Sequence, residues 1–266
     1  MEVSVSLKLE SPPDPKDPVF KKLRVFNGVV GLAFLAQAIL VLLLSSKFSL
    51  PLTTTYVGHG PNAAATVTRQ IALVRMGPLV ALFLFISVAA HFTIIMPRVF
   101  EWYVRNLGKN INYARWIEYA FSSSVMIWII AMLAGMYDLS SLILIFFLNM
   151  MMILFGWMME LHNQTTAKTN WTSFYFGCLA GAVPWVIIFL YFISAAVGGN
   201  IPGFVYGIMV SLFILFNIFA VNMVLRYKKV GPWKDYMFAE RAYVMLSLVA
   251  KSLLAWQVFA GTLARK

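Results

Sequence analysis

Seven stretches of this chain are each long and apolar enough to cross a bilayer, and together they use most of it. A membrane helix needs about 20 mainly apolar residues. The runs are Val25–Ser46, Ile71–Val99, Trp116–Met136, Leu139–Glu160, Phe174–Val197, Phe204–Leu225 and Ala239–Leu263. The third and fourth are separated only by a turn at Tyr137 and Asp138. The fifth and sixth meet at Gly198-Gly199-Asn200-Ile201-Pro202, a strong helix breaker. The expected fold class is all-α: a seven-transmembrane-helix bundle over residues 25–266, preceded by a polar tail over residues 1–24. That tail holds Pro12, Pro13, Pro15 and Pro18, reads as disordered or loosely docked, and does not look like a secretory signal peptide.

Composition narrows the function classes. The chain is 61% hydrophobic and 12% charged, against about 45–50% and about 25% in soluble domains, which excludes a soluble enzyme. A single cysteine, Cys178, excludes a disulfide scaffold and a multi-cysteine metal site. Three histidines leave little for a histidine-rich one.

The net charge of +11 would suggest nucleic acid in a soluble protein. Here it is read against topology, and no nucleic-acid partner is expected. Fifteen of the 21 basic residues fall on one side, in the N-terminal tail and in the loops after the second, fourth and sixth runs. Five (Lys47, Arg69, Arg75, Arg265 and Lys266) fall on the other. The positive-inside rule then places the N-terminus in the cytoplasm and the C-terminus outside. The membrane is a cell membrane or a host or viral one. Two sequons, at Asn163 and Asn170, fall on the cytoplasmic side, where they stay silent. The outer loop from Lys47 to Gln70 alternates β-branched runs with a Gly58-His59-Gly60-Pro61 turn. It reads equally as a β-hairpin or an irregular loop.

The remaining basic residue, Lys251, sits in the middle of the seventh run, twelve residues from either end. That is about 18 Å at 1.5 Å per residue, too far for easy snorkelling. A lysine there is costly and marks function by default. Two readings are open: an amine that forms a Schiff base, and a charge in a transport path. Burial suits the first, since desolvation exposes the amine as a nucleophile. A lysine paired only for packing is the bland alternative. A buried cation needs a counterion, and few acids qualify. Asp138, Glu160, Glu101 and Glu240 lie at the ends of runs, whereas Glu118 combines a helical context with Ser122 on the same face at i+4. Glu118 could instead be an interfacial carboxylate paired with Arg115. It also lies nearer the cytoplasmic end than Lys251 does, unless the third helix begins near Asn110.

Two strings carry a family resemblance. Tyr113-Ala-Arg-Trp-Ile-Glu-Tyr-Ala-Phe-Ser-Ser-Ser resembles the third-helix signature of the heliorhodopsins. Trp233-Lys-Asp-Tyr, followed by Glu240-Arg-Ala-Tyr-Val-Met-Leu-Ser-Leu-Val-Ala-Lys-Ser-Leu-Leu-Ala-Trp-Gln-Val-Phe-Ala-Gly-Thr-Leu, resembles their seventh helix. The resemblance extends over all seven runs and the first outer loop. It implies a light-sensing retinal protein, not an enzyme, with a cytoplasmic N-terminus. It also implies all-trans retinal on Lys251 as a protonated Schiff base, with Glu118 as counterion and Ser247 and Ser87 beside it. Matching pocket positions are Tyr119, Asn149, Met152, Gly156, Pro184, Trp185, Phe213, Phe216 and Trp256. Each alone is as compatible with ordinary bundle packing, since the chain holds 22 Phe, 8 Trp and 15 Met.

The same resemblance implies a cytoplasmic polar cavity with one histidine from each of the first two helices. His91 fits the second; the first position is Phe34. Gln37, Asn27, Ser122 and Arg115 are the further polar candidates for a proton network. No run interior other than Glu118's carries an acid, which favours a sensory or signalling protein over a pump. A light-gated or light-driven proton or ion conductor is the alternative. A zinc hydrolase of the progestin-and-adiponectin-receptor kind would need several intramembrane histidines, and only His91 is placed for it. The expected partners are membrane lipid, a second copy in a homodimer, and a cytoplasmic or membrane signalling protein. The basic and aromatic run from Arg226 to Tyr236 reads as a lipid anchor or a partner surface.

Overall fold

The computed structural model describes residues 13–59, 64–199 and 201–264. Helix α1 spans Pro18–Leu44, with Pro18 at its first position and Asp17 accepting a hydrogen bond from the Val19 amide at 2.8 Å. The helix thus starts inside the stretch expected as tail. An acidic N-cap followed by proline is itself a start signal. The first twelve residues of that tail lie outside the described residues.

A two-stranded antiparallel hairpin follows, β1 (Ser49–His59) and β2 (Ala64–Arg75), with a register shift between Leu52 and Thr53. The expected turn at Gly60 and Pro61 lies outside the described residues. The hairpin corrects the second run: Ile71-Ala-Leu-Val-Arg75 is strand, and helix α2 begins only at Met76 and ends at Ile95. Hydropathy cannot separate an apolar strand from a helix that follows it directly. The hairpin is tied to the bundle through Thr53, whose amide donates to the Tyr137 carbonyl at 2.8 Å.

Pro97 restarts the chain as a short helix, α3 (Pro97–Leu107), in a segment expected as loop. Phe100, Tyr103, Val104 and Leu107 are its buried positions, the i, i+3, i+4, i+7 stripe of an amphipathic helix. At eleven residues it is too short to span. Burial pushes the Tyr103 phenol well above its usual range, with Glu240 adding and Arg115 opposing. Tyr103 therefore stays neutral.

The remaining helices are α4 (Tyr113–Leu133), α5 (Leu139–His162), α6 (Thr172–Val197), α7 (Gly203–Tyr227) and α8 (Tyr236–Val258). A π-helical turn extends α8 over Phe259–Leu263. Among the described residues, seven of the eight α-helices are long and apolar enough to cross a membrane. Helix α1 packs on α2, α2 on α4, α4 on α5 and α5 on α6, while α7 packs on α8, which returns to α1 and α2. Helix α4 is the most enclosed span. Between α6 and α7 the seam is aromatic: the Trp185 ring meets Phe213 and Phe216 edge-on at 5.2 and 5.5 Å.

In lipid, helices associate through close packing rather than through expulsion of water. Gly31 shows how close α1 and α2 come: a Cβ there would lie 2.9 Å from Phe92 and 3.1 Å from His91. The start of α4 and the end of α5 share one end of the bundle with α3, and the hairpin caps the other.

Candidate functional site

Helix α8 turns one face toward α4. Its residues Glu240, Tyr243, Ser247 and Lys251, spaced by three or four, are all buried, as one helical stripe should be. Three contacts set the register. Arg115 donates to Glu240 at 2.6 Å, Tyr119 donates to the Tyr243 carbonyl at 2.7 Å, and Lys251 Nζ donates to Glu118 Oε1 at 2.5 Å. The last pair is 3% and 6% exposed, so each charge is compensated by the other.

The mismatch in depth between Lys251 and Glu118 is reduced by the start of α4 at Tyr113, earlier than the apolar run though not as early as Asn110, and side-chain direction closes the rest. Asn112 caps α4, accepting from the Arg115 amide at 3.0 Å, so the helix begins at Tyr113. Side chains on a helix lean toward its N-terminus. Lys251 does so, donating to Ser247 Oγ one turn back at 2.9 Å. The amine thereby arrives nearer the end where Glu118 lies. Ser87 on α2 donates to the same Glu118 oxygen at 2.6 Å. The four residues expected at the centre, Lys251, Glu118, Ser247 and Ser87, are in direct contact.

The polar candidates divide. His91 Nδ1 lies 2.9 Å from Asn27 Oδ1, so Asn27 is the histidine's partner on α1. Phe34 packs its ring 5.7 Å from His91 and lies 5.5 Å from the Lys251 ammonium, with Tyr119 at 5.2 Å. Phe34 thus gives the cation an aromatic face where a second histidine was expected. Ser122 is buried on the same helix one turn from Glu118. Gln37 is elsewhere: its carbonyl accepts from Trp256 Nε1 at 3.1 Å on a more exposed face. Trp256, expected in the pocket, goes with it.

Two apolar cavities, of about 110 and 50 Å³, share the lining residues Tyr119, Met152, Ile153, Phe216 and Phe219. The smaller is bounded by Lys251, Ser247 and Ser122, and the larger by Trp116, Gly156 and Gly177. Among the expected pocket residues, Tyr119, Met152, Gly156 and Phe216 therefore line this path. Trp185 packs against both Phe213 and Phe216, and Asn149 donates to Ser123 and Ser124 at 2.8 and 3.1 Å. Two glycines keep the walls close: a Cβ on Gly156 would stand 2.5 Å from the Trp116 ring, and one on Gly181 2.3 Å from Met152.

Sequence reasoning missed a second buried charge cluster, and the alternative pairing of Arg115 with Glu118 is not formed. Arg115 bonds not Glu118 but Glu160 and Glu240, each at 2.6 Å. Arg226 reaches the same Glu160 oxygen. Trp116 Nε1 and the Asn112 amide complete Glu160, at 2.6 and 3.1 Å, and Asn112 Nδ2 donates to Glu240 at 2.7 Å. Glu160 and Glu240 do lie at helix ends, as expected, but both are buried, at 2% and 1% exposed. One signal was available. Glu160 stands in the last turn of α5, where the helix dipole disfavours an anion, so it needed cations. A cavity of about 30 Å³, lined by Asn27, His91, Tyr103, Arg115 and Glu118, joins the cluster to the centre.

These residues suit a long apolar aldehyde. They offer one primary amine, a compensating carboxylate, and a continuous apolar and aromatic path leading away from them. Among the described residues no group of three or more His, Cys, Asp or Glu is placed to hold a metal. The family model described as Heliorhodopsin matches residues 23–263. No curated protein matches the chain.

Proposed function

Since the chain belongs to the heliorhodopsin family, and so is a multi-pass retinal-binding membrane photoreceptor, we propose that Lys251 carries retinal as a protonated Schiff base and that the output is signalling rather than pumping. The observation that carries this reading is the buried Lys251–Glu118 pair, 2.5 Å apart at the mouth of an apolar path. Retinal, when bound, supplies visible absorption and light-driven isomerisation. The rest is the work of the chain.

Glu118 holds positive charge on the Lys251 nitrogen, because an anion at hydrogen-bond distance favours the protonated form. Its Oε1, already accepting from Ser87, is the atom placed to take a proton from that nitrogen. Ser247 orients the amine, and Tyr119, Met152 and Phe216 exclude water from it. His91 and Asn27 border the small cavity on the far side of Glu118 and are the next stations a proton could reach.

The distribution of buried charge favours a sensor. Pumping needs titratable groups on both sides of the central nitrogen. Among the described residues, the buried Arg115, Glu118, Glu160, Glu240 and His91 all lie toward the end where α4 begins. Toward the hairpin the core is apolar, with Met76, Ile130, Met132, Leu254 and Val258. We place the N-terminus, α3 and the charge cluster on the cytoplasmic side, where the basic residues concentrate, and the hairpin outside. A homodimer and a cytoplasmic or membrane signalling partner belong to the same reading. Patch-clamp recording from cells that show the visible pigment tests it. No steady current under continuous light is expected; a sustained photocurrent would establish the conductor instead.

A further inference from the structure

A polar cavity of about 460 Å³ opens between the α3–α4 turn, the end of α5 and the α7–α8 connection. That volume is in the range of small-molecule sites. Four cations line it, Lys109, Arg226, Lys229 and Lys234, against one acid, Glu160. Glu160 is already bound to Arg115 and Arg226. The three lysines take part in none of the four ion pairs found among the described residues.

We propose that this cavity binds a phosphate-bearing ligand. Three exposed lysines that line one concave space and make no ion pair among the described residues repel one another, and a polyanion relieves that repulsion. A phosphate brings nearly two negative charges and three acceptor oxygens, which matches the three lysines better than one carboxylate does. Trp233 and Tyr236 stand beside the lysines to cover an organic portion. The space is too large for a bare anion alone.

The walls are held while the lysine heads are left free. Arg226 donates to the Asn110 carbonyl at 2.8 Å, Gln164 to the Lys109 carbonyl at 2.6 Å, and Trp233 to Asn222 at 2.6 Å. Asn110 and Lys229, with φ of 58° and 52°, are the two non-glycine residues in the left-handed region among the described residues, and both line this cavity. Such backbone is costly and gathers at functional sites. Pinning of this kind lowers the ordering cost of binding. Because Glu160 Oε1 serves both Arg226 and Arg115, the cavity wall is also one residue removed from α4, which carries Glu118.

The test needs no chromophore, so its failure leaves the photoreceptor reading untouched. Calorimetric titration of the detergent-solubilised chain uses adenosine triphosphate and inorganic pyrophosphate as soluble probes. Nanodiscs containing phosphatidylinositol 4-phosphate, compared with phosphatidylcholine alone, provide the lipid probe. Binding weakened at least about tenfold by combined Lys109→Gln, Lys229→Gln and Lys234→Gln, and by Lys234→Glu alone, supports the site. Loss in the soluble arm identifies a free phosphate compound, and loss only in the nanodisc arm identifies a lipid headgroup. Binding that survives these substitutions, falls equally in a Lys21→Gln control, or is absent in both arms overturns the proposal.

Discussion

Lys251 Nζ and Glu118 Oε1 stand 2.5 Å apart, and Ser87 and Ser247 hold the two ends of that pair from α2 and from α8 itself. The pair closes the bundle between its most enclosed helix, α4, and its last.

Replacing Lys251 by Ala removes the one amine that lines the apolar path among the described residues. Membranes carrying the variant should show no visible band after all-trans retinal is added. A surviving visible pigment would place the attachment on another residue. The variant should also melt earlier, since Glu118 is left as an uncompensated buried charge.

Glu118→Gln removes the anion that favours a proton on the adjacent nitrogen. The sign follows directly: the protonated, visible-absorbing form should persist only to lower pH than in the unmodified chain. Its maximum should move to the red, because less negative charge localises the positive charge at the nitrogen. Spectra recorded across a pH series check both effects. No change in either would remove Glu118 from the counterion role.

Glu160→Ala leaves the buried Arg115 and the half-buried Arg226 without their shared partner. Breaking a buried pair in this way costs about 3–5 kcal/mol, and thermal melting should show it as a clear fall in Tm. Glu101 is exposed on α3 and makes no ion pair among the described residues. Glu101→Ala should therefore stay within about 0.5 kcal/mol. Equal effects from the two would contradict a structural charge cluster.

Gly156→Val directs a branched side chain at the Trp116 ring, which is itself pinned through Nε1 to Glu160. Overpacking of this kind costs about 1–3 kcal/mol, and the ring's escape is into the cavity it lines. Pigment formed per folded protein should fall, or its maximum should shift. An unchanged yield and maximum would show that retinal does not approach Trp116.

The seven spans were legible because their length and hydropathy are physical requirements of a bilayer. Their edges were less so. Ile71–Arg75 is apolar yet paired to β1, and no hydropathy profile distinguishes that pairing. Helix α3 was hidden by its basic residues, although its buried stripe can be read once Pro97 is taken as a start. At the site, Lys251 and Glu118 were legible because each is an expensive residue in an apolar run. Their apparent difference in depth was not resolvable, since it depends on how far a lysine leans back along its own helix. The pairing of Arg115 with Glu160 and Glu240 joins residues 45 and 125 positions apart, and no local pattern encodes that. Asn27, rather than Gln37, meets His91 for the same reason.

A covalent link at one nitrogen, Lys251 Nζ, underlies the photochemistry. It is tested most directly by adding all-trans retinal to membranes holding the full chain, reducing with borohydride, and locating the adduct by peptide mass spectrometry. A retinyl group on Lys251 is the predicted result. An adduct on a different lysine, or none in a sample that shows the visible band, would contradict it.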